Sequence, residues 1–116
     1  MPSPQRFPPL TSDDFNRFIA GAEVPFAIFI SRKCCRLTLL ARREFRLAAQ
    51  EFKAYIGVFE VDADVEKALV SRLFVKGIPT FLMFTSGTES LALLGFHSAD
   101  ELQKRVWSVI STEGDD

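Results

Sequence analysis

The chain reads as an α/β domain: a central mixed sheet of four to five strands with helices on both faces. Three observations predict it. Short apolar runs at residues 24–30, 58–61 and 80–85 are rich in β-branched and aromatic side chains, as strands buried on both faces are. Longer stretches with apolar residues three or four apart separate these runs, which a parallel crossover requires. Ser86-Gly87 then turns the chain back on itself, so that the last two strands form an antiparallel hairpin ahead of a final helix.

Each element has a local reason. Thr11 followed by Ser12, Asp13 and Asp14 is a helix start, a hydroxyl cap with acids at the positive end of the dipole. Phe15, Phe18 and Ile19 then recur at helical spacing up to Gly21. Residues 36–55 lack Gly and Pro and place Leu37, Leu40, Ala41, Phe45, Ala48, Phe52 and Tyr55 on one predicted helical face. Gly57 stops that helix, and the second strand follows. Asp62 and Asp64 read as caps for a shorter helix, with Ala68, Leu69, Leu73 and Phe74 facing inward. Gly77-Ile78-Pro79 punctuates before the third strand, and residues 90–94 supply its hairpin partner. Ser98 caps the last helix, whose inner face is Leu102, Val106, Trp107 and Ile110. The domain spans residues 10–111. A flexible proline-rich arm at 1–9 and a flexible polar tail at 112–116 flank it.

Composition narrows the function. With 116 residues, 47% hydrophobic and 25% charged, this is one globular domain. A net charge of −1 argues against nucleic acid as a partner, for which a strongly basic domain is expected. No apolar run reaches the roughly 20 residues of a membrane-spanning helix. The lack of a basic, then apolar leader points to a cytoplasmic protein with reduced thiols. His97 is the only histidine, so a metal centre is not expected. The two cysteines, Cys34 and Cys35, are neighbours and cannot staple distant segments.

Charge is uneven around them. Residues 31–46 carry Arg32, Lys33, Arg36, Arg42, Arg43 and Arg46 against Glu44, a local net of +5 inside a chain whose remainder is −6. The reading taken for Arg42, Arg43 and Arg46 is a solvated helix face paired with nearby acids. Arg32, Lys33 and Arg36 are placed around the thiol, where they attract an anion. Glu60, inside an apolar run, is expected to be partly buried.

The order of elements and the residues at its joints resemble the thioredoxin family. The resemblance is carried by Val61-Asp-Ala-Asp64, by Val75-Lys-Gly-Ile-Pro-Thr80 with its following strand, by Gly87, and by Gly95 ahead of the last helix. It implies a thioredoxin fold and a cis Pro79. It also implies that the Ile78 backbone offers a strand-like edge to a bound peptide beside the reactive cysteine. The active-site motif departs from the family. Where thioredoxins carry W-C-G-P-C, this chain has Lys33-Cys34-Cys35-Arg36-Leu37. Registering on Ala41 places Cys34 on the attacking cysteine and Leu37 on the resolving one. Ile28 then stands for the family's buried acid, Glu60 for its lysine and Arg42 for its helix-kinking proline.

Disulfide reduction needs one thiolate to attack and a second to release the product. With Leu37 in the second place, Cys34 is the candidate nucleophile and Cys35 a low-ranked partner. A Cys34–Cys35 bridge is disfavoured because adjacent trans residues sit about 3.8 Å apart, while disulfides span roughly 4.4–6.8 Å. Three readings stay open. The first is a redox-inactive or weakly active protein-binding or assembly module using Lys33, Arg36, Ile78 and Pro79. The second is a monothiol oxidoreductase in which Cys34 is resolved by glutathione, as co-substrate, or by a protein thiol. The third is a vicinal Cys34–Cys35 reductase. No bound cofactor is called for. The expected partner is a protein or peptide with a cysteine or an acidic segment, and the chain itself is expected to be a monomer.

Overall fold

The computed structural model describes residues 7–21, 24–33 and 35–113. In chain order the elements are α1 (Ser12–Gly21), β1 (Phe26–Ser31), α2 (Arg36–Phe52), β2 (Gly57–Asp62), α3 (Lys67–Arg72), β3 (Thr80–Thr85), β4 (Thr88–Leu94) and α4 (Ala99–Glu113). The strands form one sheet ordered β2-β1-β3-β4. β1 pairs in parallel with β2, while β3 is antiparallel to both β1 and β4. The expected thioredoxin-type α/β architecture is thus present, with four strands.

Both faces of the sheet are covered, which is why β1 and β3 read as unbroken apolar runs rather than alternating ones. Ala27, Phe29, Phe81 and Met83 point to one side and pack with Phe45, Ala48 and Phe52 of α2 and with Leu102 and Val106 of α4. Phe26, Ile28, Ile30, Leu82 and Phe84 point to the other, against Phe15 of α1 and Leu69 of α3. Most of the twelve phenylalanines join ring pairs on one side of the sheet or the other, among them Phe29–Phe45 and Phe26–Phe84.

Several expectations shift. α2 ends at Phe52, where the Ile56 and Tyr55 N–H groups both close on the Phe52 carbonyl. Tyr55 is therefore 64% exposed, its ring edge-on to Trp107. Leu37 and Leu40 are exposed as well. The buried face is Thr38, Ala41, Arg42, Phe45, Ala48, Ala49 and Phe52, and at 100° per residue Leu40 falls nearly opposite its centre. In α3 only Leu69 is buried, and Phe74 lies beyond the helix at φ 55 with its ring 87% exposed.

The amino-terminal boundary also moves. Glu60 N–H donates to the Pro8 carbonyl, Leu10 N–H donates to the Glu60 carbonyl, and Pro9 bridges Glu60 in parallel along the outer edge of β2. Phe7 packs on Phe45 at 4.8 Å between centroids. Residues 7–9 thus belong to the domain rather than to a free arm. The rest of the expected arm, and residues 114–116 of the expected tail, lie outside the described residues. Among the described residues, no helix is long and apolar enough to cross a membrane.

The largest correction concerns Arg42. It is 4% exposed, not part of a solvated face. Its Nη2 and Nε donate to the two carboxylate oxygens of Glu60 at 2.7 and 3.2 Å, and Ser31 Oγ donates to the same carboxylate at 2.6 Å. Glu60 is itself 4% exposed. Arg42 occupies one side of the buried stripe because it falls one turn from both Thr38 and Phe45, and the Glu60 carboxylate of the edge strand β2 meets it there.

Candidate functional site

Strand register gathers the candidate residues. Ser31 stands opposite Asp62 in the β1–β2 ladder, and Ile30 opposite Thr80 in the β1–β3 ladder. The chain at residues 32, 33 and 35, and around 63–66 and 77–79, therefore lies at one end of the sheet. Pro79 is buried and Ile78 half-buried, and the peptide bond between them is cis. The Pro79 carbonyl accepts the Gly95 N–H at 2.8 Å, and Thr80 Oγ1 donates to the Gly77 carbonyl at 2.6 Å. The first ties the loop before β3 to the turn after β4, and the second closes that loop on itself.

Cys34, the nominated nucleophile, lies outside the described residues. Cys35 occupies the N-cap of α2 with extended backbone (φ −102, ψ 113), and the Leu39 N–H donates to its carbonyl. The Thr38 hydroxyl is the largest influence holding the Cys35 thiol below its ordinary range. The Thr38 N–H, the Leu37 N–H and the Arg32 cation act in the same direction, opposed by partial burial. An N-cap residue meets the unpaired N–H groups of the first helical turn, and a thiolate there gains both hydrogen bonds and the positive end of the dipole.

Thr38 was not singled out by the sequence reading. It is 1% exposed, and its Oγ1 has no ordinary hydrogen-bond partner. A buried hydroxyl without a partner costs free energy, and the influence of this one falls on the Cys35 sulfur. The register assumed from Ala41 puts the inward position one turn into α2 at Leu37. The structure puts Thr38 there and leaves Leu37 42% exposed. The signal available in the sequence was the spacing Cys35-Arg-Leu-Thr38, one helical turn from cap to hydroxyl.

The cations divide. Lys33 and Arg36 are exposed beside Cys35. Arg32 pairs with Asp64 across the loops at 3.2 Å. Asp62 does not cap α3, which begins at Lys67. Its carboxylate accepts the Asp64 N–H and its carbonyl accepts the Val65 and Glu66 N–H groups, making a tight turn after β2. Both ring nitrogens of His97 are engaged, with Glu101 Oε2 at 2.9 Å and the Leu94 carbonyl at 3.0 Å. It is a turn residue. Among the described residues no group of His, Cys, Asp and Glu could hold a metal ion.

Two cavities frame the picture. One of about 390 Å³, lined by Leu73, Phe74, Val75, Lys76, Thr80 and Leu94 among others, opens beside the loop that precedes Pro79. Another of about 480 Å³, between Phe18, Val24, Phe26, Gly57 and Phe59, sits at the opposite end of the strands, away from the thiol.

Comparison with known proteins agrees with the fold. The family model "Thioredoxin" matches residues 7–108. Protein disulfide isomerase-like 2-3 of Oryza sativa subsp. japonica is 32% identical over 82 residues, 70% of this chain and 18% of that protein. The probable protein disulfide-isomerase A4 of Caenorhabditis elegans is 33% identical over 89 residues, 74% of this chain and 14% of that protein. The chain thus spans less than a fifth of the length of these relatives. Among solved structures, thioredoxin from Trypanosoma brucei brucei superposes with a TM-score of 0.80 at 20% identity, covering 95% of each chain. Chloroplastic thioredoxin z gives 0.79 at 21% identity, covering 93% of this chain and 97% of that one.

Proposed function

Since this chain belongs to the thioredoxin family, we propose that it is a single-thiol member that captures its partner as a mixed disulfide on Cys35. The observation that carries the reading is the pair Cys35 and Thr38. The sulfur at the N-cap has the surroundings of a thiolate, while the inward position one turn on holds a hydroxyl instead of a second thiol. This moves the nucleophile from Cys34 to Cys35 and the resolving position from Leu37 to Thr38.

The Cys35 thiolate attacks one sulfur of a partner disulfide, forming a Cys35–partner disulfide and expelling the other sulfur as thiolate. No thiol one turn into the helix returns to cleave it, so the complex persists until an external thiolate such as glutathione attacks the Cys35 sulfur and expels the partner thiolate. A second glutathione then cleaves the Cys35–glutathione disulfide, giving oxidised glutathione and the free Cys35 thiolate. The Ile78 backbone and the exposed Lys33 and Arg36 flank the partner segment. Capture outlasts turnover, which suits a binding or assembly role better than a fast reductase.

Oxidised glutathione tests the assignment. The Cys34→Ser protein should take up one glutathione, located on Cys35 by peptide mass spectrometry, at close to the wild-type rate. Cys35→Ser should take it up at least about tenfold more slowly at pH 7, as expected for an ordinary thiol with few per cent thiolate. Modification that follows Cys34 instead would overturn the reading.

A further inference from the structure

The solvent side of α2 is not an ordinary polar face. Arg36, Leu40, Arg43 and Leu47 fall within a narrow sector directly opposite the buried stripe, alternating cation and leucine along the helix. From Arg36 to Leu47 the stripe runs about 16 Å at the helical rise. Leu40 and Leu47 are 47% and 48% exposed, and Leu39, at its margin, is 53% exposed. Single exposed leucines are common. Three on one helical face, with none required by the core, are not explained by folding.

The cations add a direction. Arg36 and Arg43 are exposed and make no ion pair among the described residues, whereas Arg32, Arg42 and Arg17 each have an acidic partner. The two flanks of the stripe are already occupied. On one, Glu44 accepts the Ala99 N–H at the start of α4. On the other, Arg46 lies over the Phe7 ring. What remains open between them is a strip of alternating positive charge and apolar surface that begins at the residue after Cys35.

We propose that this strip docks an acidic amphipathic helix of a partner protein, with leucine-type side chains set against Leu40 and Leu47 and carboxylates against Arg36 and Arg43. The complementary pattern is Glu and Leu alternating at the same helical spacing, laid along α2 as one helix on another. The proposal rests on the reading of Cys35 as the capturing thiol in one respect: a partner held along α2 brings its adjoining segment to the sulfur at the head of the helix. Buried leucines supply affinity, and the arginines fix charge and register.

The test keeps docking separate from thiol chemistry. The probe is a cysteine-free synthetic peptide of about 16 residues with Glu and Leu alternating at i, i+4, i+7 and i+11, read by fluorescence anisotropy against its scrambled isomer. The wild type and the Cys35→Ser protein should bind it equally and favour it over the isomer. Leu40→Ser combined with Leu47→Ser, or Arg36→Glu combined with Arg43→Glu, should weaken binding by about tenfold or more. The charge-reversed pair should regain affinity for a Lys-for-Glu peptide. All four positions are exposed, and unchanged circular dichroism and melting temperature verify the fold. Equal binding of the scrambled peptide, or full binding by both double variants, overturns the proposal. So does an outcome in which the stripe variants lose only binding to phosphatidylserine vesicles, or only a concentration-dependent dimer seen by sedimentation. Loss of glutathione uptake at Cys35 with peptide binding intact would instead count against the thiol reading alone.

Discussion

At Thr38 a methyl group would serve packing as well as the hydroxyl does, since the side chain is 1% exposed and Oγ1 lacks an ordinary partner. Its justification lies in the sulfur one turn earlier. Thr38→Val should therefore leave stability unchanged or raise it, because it removes a buried polar atom that the fold does not satisfy. The same change should raise the Cys35 pKa, because the hydroxyl is the largest influence holding it down. Iodoacetamide alkylation against pH, in a Cys34→Ser background, reads the shift directly. Thr38→Ser keeps the donor and should keep the low midpoint. A valine variant that alkylates with the wild-type pH profile would show that the hydroxyl does not act on the thiol.

Helix α1 shows how a local sequence signal becomes an element. Asp14 N–H donates to Thr11 Oγ1, and Thr11 N–H donates to the Asp14 carboxylate, a reciprocal cap readable from Thr11-Ser-Asp-Asp14. These bonds to Thr11, and after them the Arg17 guanidinium, hold the Asp14 carboxyl below its usual range. A depressed carboxyl contributes stability that is present above its unfolded value and lost as pH falls through the folded one. Thr11→Ala should cost about 0.5–2 kcal/mol at neutral pH and less at acid pH, as Asp14 becomes protonated in both proteins. Thermal unfolding at the two values measures the difference, and an equal penalty at both would remove Asp14 from the account. The caps at Thr11 and Ser98, the turn glycines and the apolar strands β1 and β3 were legible because each is written in a few adjacent residues. The start of α2 was not. The preceding strand and Ala41 set the register, and only the helix phase, with Thr38 inward and Leu37 outward, fixes which cysteine stands at the cap. The inward turn of Arg42 was equally hidden, since its reason, Glu60, lies on β2, a separate element.

On the scale of the molecule, that pair joins four parts of the chain. The Glu60 carboxylate on β2 receives Arg42 from α2, Ser31 Oγ from the end of β1, and the Phe7 N–H from the amino-terminal segment at 3.3 Å. Glu60 N–H and carbonyl hold the same segment through Pro8 and Leu10. The side chains of Arg42 and Glu60 are 5% and 3% exposed, so neither charge has water to fall back on. Such a pair adds little net stability over apolar residues of the same volume, yet losing one partner leaves a bare buried charge. Arg42→Met should therefore cost about 3–5 kcal/mol, a large share of the roughly 5–15 kcal/mol that holds a domain together. It should also release the segment from Phe7 to Leu10, seen as faster hydrogen exchange at the Leu10 amide. Adding Glu60→Leu and Ser31→Ala to Arg42→Met removes the stranded carboxylate and hydroxyl and should restore most of the loss in urea denaturation. If the single variant costs less than about 1 kcal/mol, or the triple variant recovers nothing, the ion pair is not what binds these four segments into one domain.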